Sequence, residues 1–244
     1  MSTRSILIAA AACLAGFIAG FIFANSLNRS ELARATMTEQ PQAQNSAPGQ
    51  VPGGPLLTAE EIRERVAAAD RSPADFSFQR SLGLSLYRYA SLRQDPSILP
   101  DAIRIMQRAL DLDPADRDLL IGLGNAHYDV GYFNKDNKSF ETAREFYLKA
   151  LERVPRDVDV RTDLALSYFL QEPADLERAV AEFEKGLEID PNHERSLQFL
   201  TQTYLKKNDV DKATETLERL KRVNPGHGAI SELTTSIARS RGVN

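Results

Sequence analysis

Three histidines are the side chains of this sequence best suited to acid–base or metal chemistry: His127, His193 and His227. A metal site gathers three or four ligands, and neither a His-Glu-x-x-His pattern nor a second cysteine beside Cys13 supplies them. His193 and His227 lie 34 residues apart, each two residues after a proline, which indicates a structural repeat. His127 stands without a patterned partner, so we interpret it as a packing or groove histidine.

Glycine and acidic patterns also fail to define a catalytic site. The sequence contains no Gly-x-Ser-x-Gly, no phosphate-binding Walker loop and no Gly-x-Gly-x-x-Gly. Residues 122–124, Gly-Leu-Gly, fall inside a predicted helix, where glycine lets a neighbouring helix approach closely. Four acids occupy predicted first turns, where they favour the helix dipole: Asp116, Asp118, Asp157 and Asp159. The sequence predicts no enzyme, no cofactor and no metal.

The elements that position these residues are marked by regularly spaced prolines. They occur at Pro73, Pro114, Pro155, Pro191 and Pro225. The last four close the similar segments ALDLDP, ALERVP, GLEIDP and LKRVNP. Because proline cannot continue the helical hydrogen-bond ladder, each of these segments ends a helix. Two amphipathic stretches lie between consecutive prolines, which predicts a series of helical hairpins.

Each interval also carries a characteristic pair and a small residue. The pairs are Leu82-Gly83, Leu123-Gly124, Leu164-Ala165 and Leu200-Thr201, and the later alanines are Ala102, Ala143, Ala179 and Ala213. Over residues 73–225 this pattern resembles the tetratricopeptide repeat family. The chain departs from the family pattern by lacking tryptophan and by about seven additional residues near 93–99 and again near 133–139. Whether these additions only lengthen turns or form a second binding surface stays open.

The resemblance implies an all-α fold, a right-handed α-solenoid of about four helical hairpins within a domain of residues 57–241. The expected repeats are residues 74–114, 115–155, 156–191 and 192–225. A solenoid needs helices that cover its two ends. A capping box formed by Thr58 and Glu61 predicts an N-terminal packing helix, and residues 228–240 predict a C-terminal one.

The N-terminus contains an uncharged run of 19 residues, 6–24. As a helix it would span about 28 Å, close to the hydrocarbon thickness of a bilayer. We interpret residues 1–29 as a transmembrane anchor; the alternative is a signal peptide cleaved near 24–26, with export of the remainder. A short segment before a first span usually stays in the cytoplasm, so we expect the repeats on the periplasmic side of a bacterial inner membrane.

Small residues follow one face of this apolar run, at Ala12, Gly16, Gly20 and Ala24. Such a stripe allows close helix packing and predicts a homodimer through the membrane helix. The alternative is that Ala and Gly are simply common in membrane helices. Residues 30–56 are rich in Pro, Gly and Gln. That composition buries too little apolar surface to offset chain entropy, so we expect a disordered tether.

The formal net charge of −4 argues against nucleic acid as a partner, because neutralising phosphates requires a basic face. The family resemblance implies instead a concave groove lined by the first helix of each hairpin. The residues expected there are Arg80, Tyr87, Arg88, Asn125, Tyr128, Asp129, Thr162, Phe169, Gln198, Gln202 and Lys206. Aromatic side chains beside polar ones suit a protein or peptide ligand. Groove positions and inward positions differ by one residue. Each aromatic residue could therefore pack in the core instead of lining the groove.

These observations predict a membrane-tethered scaffold that holds a protein or peptide partner in the groove without turnover. Bacterial proteins of this layout often serve assembly of envelope complexes, in cytochrome maturation or in pilus-like systems, and the resemblance implies such a setting. The alternative is a structural module that oligomerises with itself and has no groove ligand.

Overall fold

The computed structural model describes residues 57–242, and in this part all of the regular secondary structure is helical. The predicted anchor, the linker and the stripe of Ala12, Gly16, Gly20 and Ala24 lie outside these residues. The α-helices, in chain order from α1 to α10, are Ala59–Arg71, Phe76–Arg93, Leu99–Leu112, Arg117–Asn134, Asn137–Arg153, Val158–Leu170, Leu176–Ile189, Glu194–Lys206, Val210–Val223 and Ile230–Ser240. A short 3-10 helix, Pro96–Ile98, precedes α3. The all-α expectation is confirmed for this part of the chain.

Most of the helices begin at a polar side chain that caps the first turn. The Asp75 carboxylate accepts a hydrogen bond from the Phe78 backbone N–H at 3.0 Å, and Asp116 accepts one from Leu119 at 2.9 Å. The same role is taken at later helices by Asp136, Asp157, Asp175, His193 and Asp209. Thr58 and Glu61 form the expected capping box at α1. These side chains satisfy backbone donors that would otherwise lack partners, which fixes where each helix starts.

The helices pair as four hairpins, α2–α3, α4–α5, α6–α7 and α8–α9, and each hairpin packs on the next. We call the two members of a hairpin its first and second helix. First helices of neighbouring hairpins contact one another, and within residues 57–242 the second helices make no comparable contact. The first helices therefore lie on the inner side of the stack and the second helices on its outer side.

The core of each hairpin uses a small residue followed four positions later by a large one. The alanines are Ala102, Ala143, Ala179 and Ala213, all 0% exposed. The larger partners are Met106, Tyr147 and Phe183, all 0% exposed, and Leu217 at 2%. Burying side chains of this size contributes about 1.5–3 kcal/mol each. The repeated sequence pattern is thus the pattern of the core.

Single helices cover both ends of the stack. In α1, Val66 and Ala69 are buried, and the Gln79 amide of α2 donates to the Ala69 carbonyl oxygen at 2.7 Å. In α10, Leu233 and Ile237 are buried. The outward faces of both helices are mainly polar, as solenoid ends require. No helix in the described chain is both long and apolar enough to cross a bilayer.

The additional residues of the first two hairpins lengthen helices rather than turns. The first helices α2 and α4 have 18 residues each, whereas α6 and α8 have 13. At 1.5 Å per residue, α2 and α4 project about 7.5 Å further. The 3-10 helix also contacts α4, and the Asn137 side chain both donates to and accepts from the Glu172 backbone, at 2.6 and 3.0 Å. The additions therefore bind each long hairpin to the one that follows.

Candidate protein-interaction surface

The inner side of the stack divides into two zones along the first helices. Near their N-terminal ends, charged side chains join consecutive hairpins. Arg80 binds Asp116 at 2.6 Å and Asp118 at 2.5 Å, and Arg117 binds Asp157. Further along the stack the pairs are Asp159–His193, Asp163–Arg195 and Glu194–Asn224. Because these groups bind one another, this zone holds the repeats together. The predicted groove residue Arg80 takes part in these ion pairs.

Two predicted groove tyrosines lie in the core, which corrects that assignment. Tyr128 is 1% exposed and packs edge to face against Phe140, with ring centres 5.7 Å apart. Tyr87 is 8% exposed. One position along a helix turns a side chain by about 100°, so residues adjacent in sequence face different neighbours. Both tyrosines are therefore too buried to anchor a ligand.

Three polar groove candidates are also buried. The Thr162 hydroxyl, 0% exposed, donates to the Val158 carbonyl oxygen at 2.7 Å and lies 2.7 Å from the Ser196 hydroxyl. Asn125, 9% exposed, accepts a hydrogen bond from the Tyr147 hydroxyl at 2.9 Å. Gln202 is 6% exposed. Their placement makes them packing residues, so this part of the predicted groove is corrected as well.

Except for Gln198, the remaining candidates lie toward the C-terminal ends of the first helices. One residue of each first helix stands thirteen positions after its N-cap residue. These four, which we call the inner row, are Arg88, Asp129, Leu170 and Lys206. Arg88 and Lys206 are exposed, and Asp129 and Leu170 are half-buried. The structure brings three predicted positions, Arg88, Asp129 and Lys206, into one register. Gln198 is half-buried and lies more than two turns before Lys206 on α8.

Phe169 adds an aromatic surface to the inner row. The Lys206 ammonium lies 4.9 Å from the centre of the Phe169 ring and donates to the Phe169 carbonyl oxygen at 3.4 Å. Partial burial lowers the pKa of this lysine. A cation over an aromatic face is a favourable arrangement that orders both side chains. Together with Phe169, the inner row thus places a cation, an anion, an apolar pair and a second cation in order along the stack.

Leu170 is the inner-row residue missing from the set of groove positions read from the sequence. Those positions were counted from the closing prolines, and the additional residues of α2 and α4 change that count between repeats. Counting from the capping residues Asp75, Asp116, Asp157 and His193 gives the same register in all four hairpins. The capping pattern is therefore the sequence signal that finds Leu170.

In the described chain, each of the three histidines packs against or hydrogen-bonds to neighbouring residues. His127 stacks on Phe146 with ring centres 5.7 Å apart, and burial lowers its pKa, which keeps it neutral near pH 7. His193 caps α8 and lies 3.2 Å from Asp159. His227 accepts a hydrogen bond from the Ala229 backbone N–H at 3.2 Å. Between residues 57 and 242 there is no group of three side chains arranged to hold a metal ion.

Two family models match the chain. One, described as tetratricopeptide repeat, matches residues 170–237. The other, described as plant-specific mitochondrial import receptor subunit TOM20, matches residues 80–173. No curated protein sequence matches the chain. Neither matching model describes an enzyme family.

Solved structures share the fold at low sequence identity. A crystal structure of MamA protein has a TM-score of 0.54 and 19% identity, covering 68% of this chain and 81% of that one. A tetratricopeptide repeat protein from Parabacteroides merdae has a TM-score of 0.53 and 18% identity, covering 73% and 61%. The C-terminal part of a tetratricopeptide repeat protein from Cytophaga hutchinsonii has a TM-score of 0.54 and 20% identity, covering 71% and 65%.

The family match covers α7, α8, α9 and most of α10, and the solved structures extend the same architecture over the other hairpins. The Leu-Gly pairs, the buried alanines and the closing prolines occupy the places that the resemblance implies. Residues 170–237 thus match the tetratricopeptide repeat family, and the described chain has the helical-hairpin fold of solved tetratricopeptide repeat proteins.

Proposed function

We propose that this protein is a membrane-tethered scaffold that binds a protein partner along the inner row and performs no catalysis. The observation that carries the proposal is the register of Arg88, Asp129, Leu170 and Lys206 on four consecutive first helices. The inter-repeat ion pairs occupy the other end of the same helices. Within the inner row, Arg88 and Lys206 have exposed side chains that a ligand can reach.

The chemistry of the inner row indicates what kind of segment fits. Neighbouring helices pack 8–10 Å apart, so successive contacts would be spaced by about that distance. Three residues of extended chain, or about two turns of helix, cover the interval. A suitable segment carries an acidic group opposite Arg88, an apolar side chain against Phe169 and Leu170, and an acidic group opposite Lys206. Arg and aromatic anchors of this kind commonly dominate binding energy.

The proposed tether rests on the sequence of residues 1–56. The uncharged run of residues 6–24 supports an anchor, and residues 30–56 support a flexible connection. We place the repeats on the periplasmic side of a bacterial inner membrane, where the scaffold would serve assembly of an envelope complex, such as cytochrome maturation or a pilus-like system. This setting rests on the family resemblance.

Charge reversal at the two inner-row cations tests the proposal. In the full chain, Arg88→Glu with Lys206→Glu should reduce partner capture at least tenfold, equivalent to about 1.4 kcal/mol, since each change opposes an acidic group of the ligand. The matched control is Arg153→Glu with Arg222→Glu, which alters net charge equally at exposed positions on the second helices α5 and α9. The measurement is a crosslinked pull-down from intact membranes, quantified by mass spectrometry.

Equal capture by the two double variants, with equal helical content, would refute binding along the inner row. If the unmodified chain captures only copies of itself, and both variants do the same, the self-oligomerising module is the correct function.

A further inference from the structure

We propose that the projecting ends of α2 and α4 form a second surface, one that docks on the lipid headgroups beside the anchor. This inference rests on the membrane tethering in the proposed function, and it concerns a different face from the inner row. The proposed occupant is a bilayer containing anionic lipid. Three features carry the inference: two exposed apolar side chains in register, the cations around them, and the position of the first described residue.

The apolar feature consists of Leu92 and Phe133, which are 47% and 39% exposed. Each stands seventeen residues after the N-cap of its helix, so both occupy the same position on α2 and α4. These two helices contact each other, and the Arg80–Asp116 pair near their N-terminal ends shows that they run parallel. Leu92 and Phe133 therefore project from the same end of the stack.

The shorter hairpins have nothing equivalent. The first helices α6 and α8 end at Leu170 and Lys206, four positions earlier in the shared register. The apolar pair thus exists only because of the additional residues in the first two repeats. We call this face, formed by Leu92, Phe133 and the loops that follow them, the docking ledge.

Basic side chains surround the docking ledge. Arg93, Lys135 and Lys138 are exposed, and none of them forms an ion pair with another residue of the described chain. The two acidic residues of these loops, Asp95 and Asp136, cap the helices that follow them. Asp95 accepts from the Ser97 backbone N–H at 3.0 Å, and Asp136 accepts from that of Lys138 at 3.0 Å. Apolar side chains ringed by cations are suited to an anionic lipid surface.

The first described residue, Leu57, lies beside the docking ledge. The Tyr89 hydroxyl donates to the Leu57 carbonyl oxygen at 3.3 Å. Tyr89 lies one helical turn before Leu92 and Arg93 on α2. Leu57, the first described residue, therefore lies at the end that carries the ledge, so an anchor at residues 6–24 would hold this end toward the bilayer.

Because the domain is tethered, a small surface is sufficient to hold it against the membrane. Residues 25–56, if flexible, have a root-mean-square reach of about 30 Å. Docking is then an intramolecular step at a high effective concentration, so two apolar side chains with basic neighbours can hold the domain against the membrane. Docking at this end would orient the inner row relative to the bilayer, which a flexible tether alone would not do.

The test uses the full chain in vesicles of phosphatidylcholine and phosphatidylglycerol. With Cys13→Ala as background, Leu92→Cys or Phe133→Cys carries an environment-sensitive fluorophore. The matched control is Leu112→Cys, 48% exposed at the end of α3, which is the opposite end of the hairpin. We expect emission at Leu92 and Phe133 to shift to shorter wavelength, to be quenched by acyl-brominated lipid, and to recover in high salt. The label at Leu112 should show none of these changes.

Flotation of the same vesicles separates failure of the docking ledge from failure of the tether. If the chain floats with the vesicles but the labels at Leu92 and Phe133 behave like the label at Leu112, the docking ledge is refuted and the tether stands. If the chain does not float, both are refuted. Protection of the two labels from aqueous iodide without quenching by brominated lipid would mean contact between copies of the chain, which also overturns lipid docking.

Discussion

Gly83→Ala should lower the free energy of unfolding by about 2–3 kcal/mol, because the added methyl group has no space. A Cβ at this position would lie 2.6 Å from Met106 Cγ and 2.9 Å from the Met106 backbone nitrogen. The side chain of Met106 can adjust, but its backbone belongs to α3 and cannot move without separating the hairpin. In a domain of this size we expect a fall in Tm of about 2–4 °C per kcal/mol. Urea unfolding of the full chain in detergent, followed by circular dichroism, gives the value.

Gly186→Ala is the matched control for that experiment. Gly186 is also a buried helical glycine, but a Cβ there would lie 3.4 Å from the Ser196 hydroxyl oxygen, which is ordinary contact. Alanine is favoured over glycine in helix interiors by about 1 kcal/mol, so this change should be neutral or stabilising. Equal destabilisation by the two substitutions would contradict the close packing that we assign to Gly83.

Asp163→Asn should cost about 3 kcal/mol of stability, because it leaves a buried guanidinium without its carboxylate. Asp163 on α6 and Arg195 on α8 form an ion pair between the third and fourth hairpins, and their side chains are 8% and 11% exposed. Removing one partner leaves the other charge buried, poorly solvated and without a counter-charge. The free energy of unfolding is again the quantity measured, and we expect the loss to persist in high salt since the pair is shielded from solvent.

An exposed ion pair provides the comparison. Glu218 and Lys221 on α9 bind at 2.8 Å, with side chains 50% and 33% exposed. Glu218→Gln should change stability by no more than about 0.5 kcal/mol. If Asp163→Asn proves equally mild, the Asp163–Arg195 pair contributes little to the joint between the two hairpins, and that joint depends on apolar packing alone.

The fold was largely predictable because the same pattern specifies core and boundaries in every repeat. The alanines and their large partners four residues later form the core, and the prolines follow the second helices. The lengths of α2 and α4 were not predictable. Additional residues read equally well as a longer turn or a longer helix, and the choice depends on packing of the 3-10 helix against α4 and of Asn137 against the Glu172 backbone.

The candidate site was predictable only in part. Arg88, Asp129 and Lys206 lie in the inner row, whereas Tyr87 and Tyr128 are core residues. Composition favours aromatic residues as ligand anchors, but a rotation of about 100° between adjacent positions decides whether a ring meets solvent or the next hairpin. Tertiary contacts between first helices decide which face of the helix meets the next hairpin, and a single repeat does not encode those contacts.

Site-specific photocrosslinking tests the central claim, binding along the inner side of the stack, most directly. A photoreactive amino acid would replace Arg88 on α2 in one chain and Leu148, 48% exposed on α5, in another. After irradiation of intact membranes, we predict a partner adduct from position 88 and none from position 148. Adducts to the same partner from position 148 alone, or equally from both positions, would contradict binding at the inner row.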